Sequence, residues 1–314
     1  MIEISVIIPT YNRSILLSHT LTSLTEQTLS KDSFEVIVID DGGCDNTKAV
    51  IDAFSEKLNI KYFWQEDKGF RAGKARNVGT AIAEGQYIVY IDTGILLATT
   101  TLETHLFRHK VSPHPIAIVG YVYGFDLDEA GVEKMSAVIS PNNVDEILKE
   151  LDAQHAYDIR QRQYDDLGQN IFDWPAPFDL FWTCHVSAER EQLIKAGMFD
   201  EHFNSWGGED VDLGVRLFLN NNMFIVDKSM SSFHWPHPKE VKDTGESSKS
   251  AAKIIHSKYN IWQTSYYNLD YSINDLPLNK LIKELTGSTT APVANPSLYL
   301  PPHQPIAESN VGLL

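Results

Sequence analysis

Glu209 and Asp210 stand at the start of a helical pattern, directly after Trp206-Gly207-Gly208. Val211, Val215, Leu217 and Phe218 supply its apolar positions, so the spacing predicts a helix that begins near Glu209. The two glycines permit close backbone approach and unusual dihedrals. Carboxylates in the first turn sit at the positive end of the helix dipole, which favours their ionised form. An ionised carboxylate beside an exposed Trp can hold a sugar hydroxyl and take its proton, with the indole as a flat apolar platform. The same residues also fit a plain capped helix start with a core Trp.

The elements that would carry such a site are legible from the N-terminus. Residues Glu3 to Ile8 read as a buried strand running into the loop Pro9-Thr10-Tyr11-Asn12-Arg13. Leu16, Leu17, Leu21 and Leu24 give helical spacing between Ile15 and Thr28. Phe34 to Ile39 is a second strand, ending in Asp40-Asp41-Gly42-Gly43. A strand, helix, strand unit implies a parallel sheet, and ligands bind at the carboxyl ends of such strands. Both Pro9-Thr10-Tyr11 and Asp40-Asp41 lie at those ends, where acidic groups can accept from ribose hydroxyls or a base N–H. Tyr62-Phe63-Trp64 is a short strand candidate. Gly73 to Glu84 reads as a helix, and Tyr87 to Ile91 as an apolar strand ending at Asp92. Lys68, Arg71, Lys74 and Arg76 gather cations at a helix start, an arrangement suited to a diphosphate.

Composition bounds the partners. The 314 residues suffice for one large α/β domain with an added C-terminal region, and 43% hydrophobic content supports a full core. A net charge of −16 disfavours nucleic acid and anionic membranes. Any diphosphate must therefore be met locally, by a metal or by clustered cations. No apolar run is long enough for a membrane helix, and the first residues lack a signal-peptide pattern. Two cysteines, Cys44 and Cys184, make no disulfide framework, so a cytoplasmic setting is expected.

Five segments then carry a resemblance. Val6-Ile7-Ile8-Pro9-Thr10-Tyr11-Asn12, Val38-Ile39-Asp40-Asp41-Gly42, Gly73-Lys74-Ala75-Arg76-Asn77-Val78-Gly79, Tyr90-Ile91-Asp92 and Trp206-Gly207-Gly208-Glu209-Asp210 occur in the order seen in one family. The chain resembles an inverting GT-A nucleotide-sugar glycosyltransferase of family 2. Its second half is similar to the WGGED-type region shared by bacterial chondroitin polymerase domains and β-1,4-galactosyltransferases. The resemblance covers roughly residues 3 to 240. It implies a Rossmann-like, mostly parallel sheet flanked by helices, and transfer of a sugar from a UDP-sugar to an acceptor hydroxyl with inversion. Pro9, Thr10, Tyr11 and Arg13 would flank the nucleoside, Asp41 would meet the uracil with Asp40 close by, and Asp92 would contact ribose or a metal. Arg71, Lys74 and Arg76 would lie against the diphosphate. Asp210 would be the general base and Glu209 would orient hydroxyls. Trp206, Gly207, Gly208 and His185 would line the acceptor or donor sugar.

Two departures qualify the resemblance. The usual Asp-x-Asp metal motif is Asp92-Thr93-Gly94, one carboxylate short. Mn²⁺ or Mg²⁺ would then rest on Asp92 with His234, or His237 as the alternate, and on the diphosphate's own oxygens. Phe178 to Ser187 resembles the family's strand before the acceptor loop, but Thr183-Cys184-His185 stands where Gly-Gly-Asn is usual. The rival readings are a nucleotidyltransferase, which would need a Gly-rich N-terminal loop that Pro9 to Arg13 does not provide, and a weakly active or non-catalytic nucleotide-sugar binder.

The remaining segments divide the chain. Residues 1–240 read as the catalytic domain, with 1–97 as the nucleotide-binding half and 98–240 as the acceptor-side half. His105 and His109 lie on an expected amphipathic surface helix, Thr99 to Lys110. Ile116 to Gly124 is a strand candidate and Val144 to Leu151 a helix candidate. Arg160, Arg162 and Tyr164 are read as surface residues within substrate reach. Phe224 to Val226 and Ser232 to His234 are read as two short strands. Residues 241–314 are expected to hold helices at Lys249 to Tyr259 and Leu278 to Leu285, then a Pro-rich tail able to dock on another surface, including a second copy of the chain. The acceptor is left open among glycan, lipid-linked, peptide and small-molecule hydroxyls.

Overall fold

Ile4, Val6 and Ile8 point to one side of the first strand and Ile7 to the other, and all four are fully buried. That pattern demands cover on both faces, and the structure supplies it. The computed structural model describes residues 1–127, 139–237, 244–268 and 277–288. Strand β1 (Ile4–Thr10) leads into α1 (Ser14–Thr25), β2 (Phe34–Asp40), α2 (Thr47–Phe54), β3 (Ile60–Trp64), α3 (Ala72–Ile82) and β4 (Tyr87–Ile91). These four strands are mutually parallel in the order β3-β2-β1-β4. Thr10 pairs with Asp40 at the last rung of β1 and β2, so the loops after them emerge side by side.

The second half widens the sheet with mixed pairing. Strand β5 (Ile95–Leu97), helix α4 (Thr101–Val111), strand β6 (Ile116–Tyr123), helices α5 (Val144–Ala153) and α6 (Gln161–Leu167), strand β7 (His185–Glu189), helices α7 (Arg190–Lys195) and α8 (Glu209–Leu219), and strand β8 (Met223–His234) follow. The eight strands run β3-β2-β1-β4-β7-β6-β8-β5. Strand β7 is antiparallel to both neighbours, whereas β8 runs parallel to β6. One apolar layer packs α1 and α4 on the Val6 side, and the other packs α3, α5 and α8 on the Ile7 side.

Two expected strands take a different form. Only His185 onwards is extended in the Phe178 to Ser187 segment; Pro177–Leu180 forms a 3-10 turn opened by its proline. The segments at 224–226 and 232–234 belong to the single strand β8, whose register with β6 slips between Val119 and Tyr121 so that Asp227 to Met230 are accommodated as an irregularity. Beyond 240, α9 (Thr244–Tyr259), a 3-10 segment (Gln263–Asn268) and α10 (Leu278–Thr286) return to the body of the protein. Asn279 is fully buried and bonds both the N–H and the carbonyl of Ala176, at 2.8 and 2.9 Å. The Pro-rich tail lies outside the described residues.

Candidate active site

The carboxyl ends of β1, β2 and β4 place Thr10, Asp40, Asp41 and Asp92 on one rim. Asp40 is buried and spends its oxygens internally, accepting from Gly43 N at 2.7 Å and the Tyr62 hydroxyl at 2.9 Å. Asp41 Oδ1 accepts from Gln65 Nε2 at 2.5 Å and Arg71 Nη2 at 2.8 Å, and its Oδ2 accepts from Arg71 N at 3.0 Å. Arg71, expected against the diphosphate, is tied through its guanidinium to Asp41. Gln65 was not singled out at all. Tyr11 is half exposed and donates to Asp67 at 3.0 Å. Gly42, at φ +94°, lets this loop close: a Cβ there would lie 2.4 Å from Asp67 N. Pro9 accepts from the Thr93 hydroxyl through its carbonyl, which ties the β1 loop to the Asp92 loop. Lys74 is exposed toward Glu201.

Arg76 joins the two halves of the chain. It reaches from α3, with 4% of its surface exposed, and donates to Asp92 Oδ1 at 2.8 Å and Glu209 Oε1 at 3.2 Å. Burial opposes its charge, but the Asp92 and Glu209 carboxylates outweigh burial and push its pKa up. Glu209 is buried and its Oε2 has no protein partner. Asp210 accepts from Val211 N at 2.8 Å. Its carboxyl is pushed up to about 7, first by loss of hydration and then by the Glu209 carboxylate. The helix dipole does not win here. Desolvation and a like charge on the next residue outweigh the N-terminal N–H groups, so the expectation of a fully ionised Asp210 is corrected. Gly207 and Gly208 adopt φ +90° and +96°, the left-handed region, and Trp206 stays 54% exposed beside them.

Two groups of residues are buried where the sequence reading put a sugar pocket or a surface. His185 lines no sugar pocket: it is fully buried in β7, bonded to Ser232 Oγ at 2.9 Å and to His105 Nε2 at 3.0 Å. Gly120 makes room for its ring, because a Cβ there would meet Nδ1 at 2.2 Å. His105 and His109 are likewise buried rather than on a surface face, and both bond Ser187 Oγ at 2.8 Å. The five groups make one neutral chain, Ser232–His185–His105–Ser187–His109. Arg160 and Tyr164 are also buried, not superficial. Arg160 pairs with Asp158 and bonds the carbonyls of Gly120 and Leu180, which pins the segment before β7 to β6.

The metal ligands are only partly assembled. His234 pairs with Ile95 across β8 and β5, and its ring stacks on Phe125 at 4.6 Å. His237 Nδ1 lies 3.0 Å from Arg13 Nη1. A guanidinium only donates, so this nitrogen accepts and is not offered to a cation. Among the described residues no group of three or more His, Cys, Asp and Glu is arranged to hold an ion. The described residues therefore do not by themselves amount to a metal site.

The parallel β3-β2-β1-β4 unit, extended by mixed strands and flanked by helices on both faces, is a GT-A glycosyltransferase fold. A crystal structure of S. aureus TarS 1–349 in complex with UDP-GlcNAc superposes with a TM-score of 0.60 at 19% identity, over 91% of this chain and 72% of that one. Residues 5–136 match the model for glycosyl transferase family 2, and residues 167–237 match that for the N-terminal domain of galactosyltransferase. The chain carries a glycosyltransferase family 2 domain followed by a galactosyltransferase-type segment. It is 35% identical to validoxylamine A glucosyltransferase of Streptomyces hygroscopicus subsp. jinggangensis over 75% of its own length and 56% of that protein's. It is 32% identical to chondroitin synthase of Pasteurella multocida over 82% of its length and 27% of that protein's. It thus spans about half of the first relative and a quarter of the second. Among the described residues no helix is long and apolar enough to cross a membrane.

Proposed function

We propose that this chain transfers a sugar from a UDP-sugar to an acceptor hydroxyl with inversion, Asp210 acting as general base. The observation that carries the reading is the meeting of Asp92, Arg76, Glu209 and Asp210 across the two halves, with the Asp210 carboxyl poised at about 7. A base works best when its pKa lies near the working pH, because it is then both available and strong enough to take the proton.

The nucleoside enters along Pro9, Thr10 and Tyr11, with Asp41 reading the uracil N–H. Asp41 is held in place by Gln65 and Arg71. Asp92 faces the ribose side. The acceptor rests on Trp206 and its hydroxyl donates to Asp210, while the unpartnered Glu209 Oε2 accepts from a neighbouring hydroxyl. As the acceptor oxygen bonds to the anomeric carbon, the bond to the diphosphate oxygen breaks and its electron pair leaves with UDP. The acceptor proton passes to Asp210. Attack opposite the leaving group inverts the anomeric centre without an enzyme nucleophile. Arg76 keeps a buried positive charge beside the reacting groups, and Lys74 and Arg13 add cations at the rim. Divalent metal use, common in this fold, would add charge on the diphosphate from outside the chain's own ligand set.

UDP release from a panel of UDP-sugars, with and without candidate acceptors, tests the reading. Asp210→Asn keeps the side-chain volume but cannot take a proton, so transfer should fall on the order of 10²–10⁴-fold while UDP binding, followed by calorimetry, is retained. A variant that keeps more than about a tenth of the wild-type rate, well short of that loss, would move the base elsewhere.

A further inference from the structure

The segment beyond residue 240 lies outside both matched family models, yet it grips the catalytic turn at two points. Helix α8 has no side-chain cap at its start; Gly208 is its N-cap, in the left-handed region. The placement of Glu209 and Asp210 therefore depends on tertiary contacts. Asp212 N donates to Gly208 O at 2.8 Å and closes the first turn, with Glu209 and Asp210 inside it. Asp212 is itself fully buried. Its Oδ1 accepts from the Tyr259 hydroxyl and from Lys258 Nζ, both at 2.7 Å, and its Oδ2 accepts from Arg216 Nη2 at 2.6 Å. Lys258 also bonds Asp200 at 2.7 Å, and Arg216 bonds the Ala196 carbonyl at 2.6 Å. At the other end of the same turn, Ala251 abuts Gly208 so closely that a Cβ on the glycine would lie 2.5 Å from the alanine Cβ. Ser247 donates to the Trp206 carbonyl at 2.6 Å.

We propose that Lys258 and Tyr259 are positioning residues for the transfer step: through Asp212 they fix the helical turn that presents Glu209 and Asp210. The inference rests on the reading of Asp210 as the base. Neither residue touches substrate. Both act on where the Asp210 carboxylate sits relative to Arg76, and a displacement of about 1 Å near a reacting centre is enough to lower a rate about a hundredfold. The same displacement changes the distances from Asp210 to Glu209 and Arg76, and with them the pH at which the base ionises.

Tyr259→Phe removes one oxygen and leaves the ring packing. Lys258→Met removes the charge and keeps the stem, and Lys258→Arg keeps the charge. Each is made in the full chain and assayed for UDP release from UDP-glucose, UDP-GlcNAc and UDP-galactose, with UDP affinity by calorimetry and the pH profile of kcat. The expected result is a fall in kcat of about tenfold or more for Tyr259→Phe and Lys258→Met, with UDP affinity unchanged and the midpoint of the pH profile displaced. Lys258→Arg recovers part of the rate. Wild-type kcat and midpoint in both variants would overturn the inference. So would a parallel loss of UDP affinity, thermal stability and rate, with no recovery in Lys258→Arg, because that marks a purely structural helix. Asp210→Asn run alongside separates the two levels. If it is inactive while the α9 variants behave as wild type, only the positioning role fails; if it too is active, the assignment of the base fails.

Discussion

The buried chain Ser232–His185–His105–Ser187–His109 makes stability depend on pH, with a size that follows from its burial. The His109 and His185 pKa values are depressed to about 3 by burial, and that of His105 falls well below its ordinary value by burial and by the other two imidazoles. A base whose folded pKa is lowered contributes stability that is whole above the unfolded pKa and is lost as pH falls toward the folded one. The window here runs from about 6.5 downward. Between pH 7.5 and 5.5 each unfolded imidazole gains nearly one proton that its folded counterpart refuses, worth about 1.4 kcal/mol per residue and about 4 kcal/mol for three. Asp210 and Asp179, pushed up to about 7 and about 6, have the opposite sign and offset about 3 kcal/mol of this over the same interval. The wild-type change is therefore small, and the informative quantity is a difference. His109→Phe preserves a ring against Tyr87, on which His109 stacks at 4.6 Å, and removes one titrating group. Urea titrations followed by Trp fluorescence at both pH values should show the variant losing about 1.4 kcal/mol less than wild type on acidification. An identical pH dependence in the two proteins would mean that His109 is solvated or charged in the folded state, and the neutral-chain account would fail.

Four further outcomes follow from the site. On the proposed reading the rate of UDP release should rise with pH through about 7 and then level, because a general base must be ionised to accept a proton; a profile flat from pH 5.5 to 8 would contradict the raised pKa. Gly208→Ala forces a side chain at φ +96° into Ala251 and Phe203, so it should lose on the order of 1–3 kcal/mol of stability together with most activity; denaturant midpoints and rates check both. Calorimetry should find UDP preferred over GDP, and UDP binding should survive EDTA in part, since Gly94 leaves the metal motif one carboxylate short. Equal affinities, or complete loss in EDTA with recovery in micromolar Mn²⁺, would refute those two points respectively.

The parallel half was readable because its signals are local. Alternating or continuous apolar runs set β1, β2 and β4, and their last residues identify the rim. The second half was harder, since its strands owe their form to partners far along the chain. The resemblance implied an extended Phe178, but the proline at 177 and the Tyr267 hydroxyl on Asp179 hold a helical turn there. His105 and His109 looked superficial because polar residues count against burial, and nothing local reveals that Ser187 and His185 receive them. The Glu-Asp turn was found from its motif. Its dependence on Lys258 and Tyr259 left no trace in spacing, because those bonds cross 46 and 47 residues. Asp210's pKa was misjudged for a related reason: a dipole can be inferred from position in a helix, whereas desolvation depends on everything packed around it.

On the proposed reading, Arg76 sets a limit on how stable this protein can become while it keeps its chemistry. A guanidinium with 4% exposure, held between two carboxylates, is a poor source of stability compared with apolar side chains of the same volume. Removing it alone would strand Glu209 in the interior, costing roughly 3–5 kcal/mol. Replacing the pair together, as Arg76→Met with Glu209→Gln, would remove both members of the buried ion pair, and such exchanges are often neutral or stabilising by about 1–4 kcal/mol. Selection for thermal robustness alone would thus erode this centre. If the pair serves the proposed transfer, the chain gives up cohesion for reactivity there, and a search for hardier variants should leave it untouched and look instead to the outer helices.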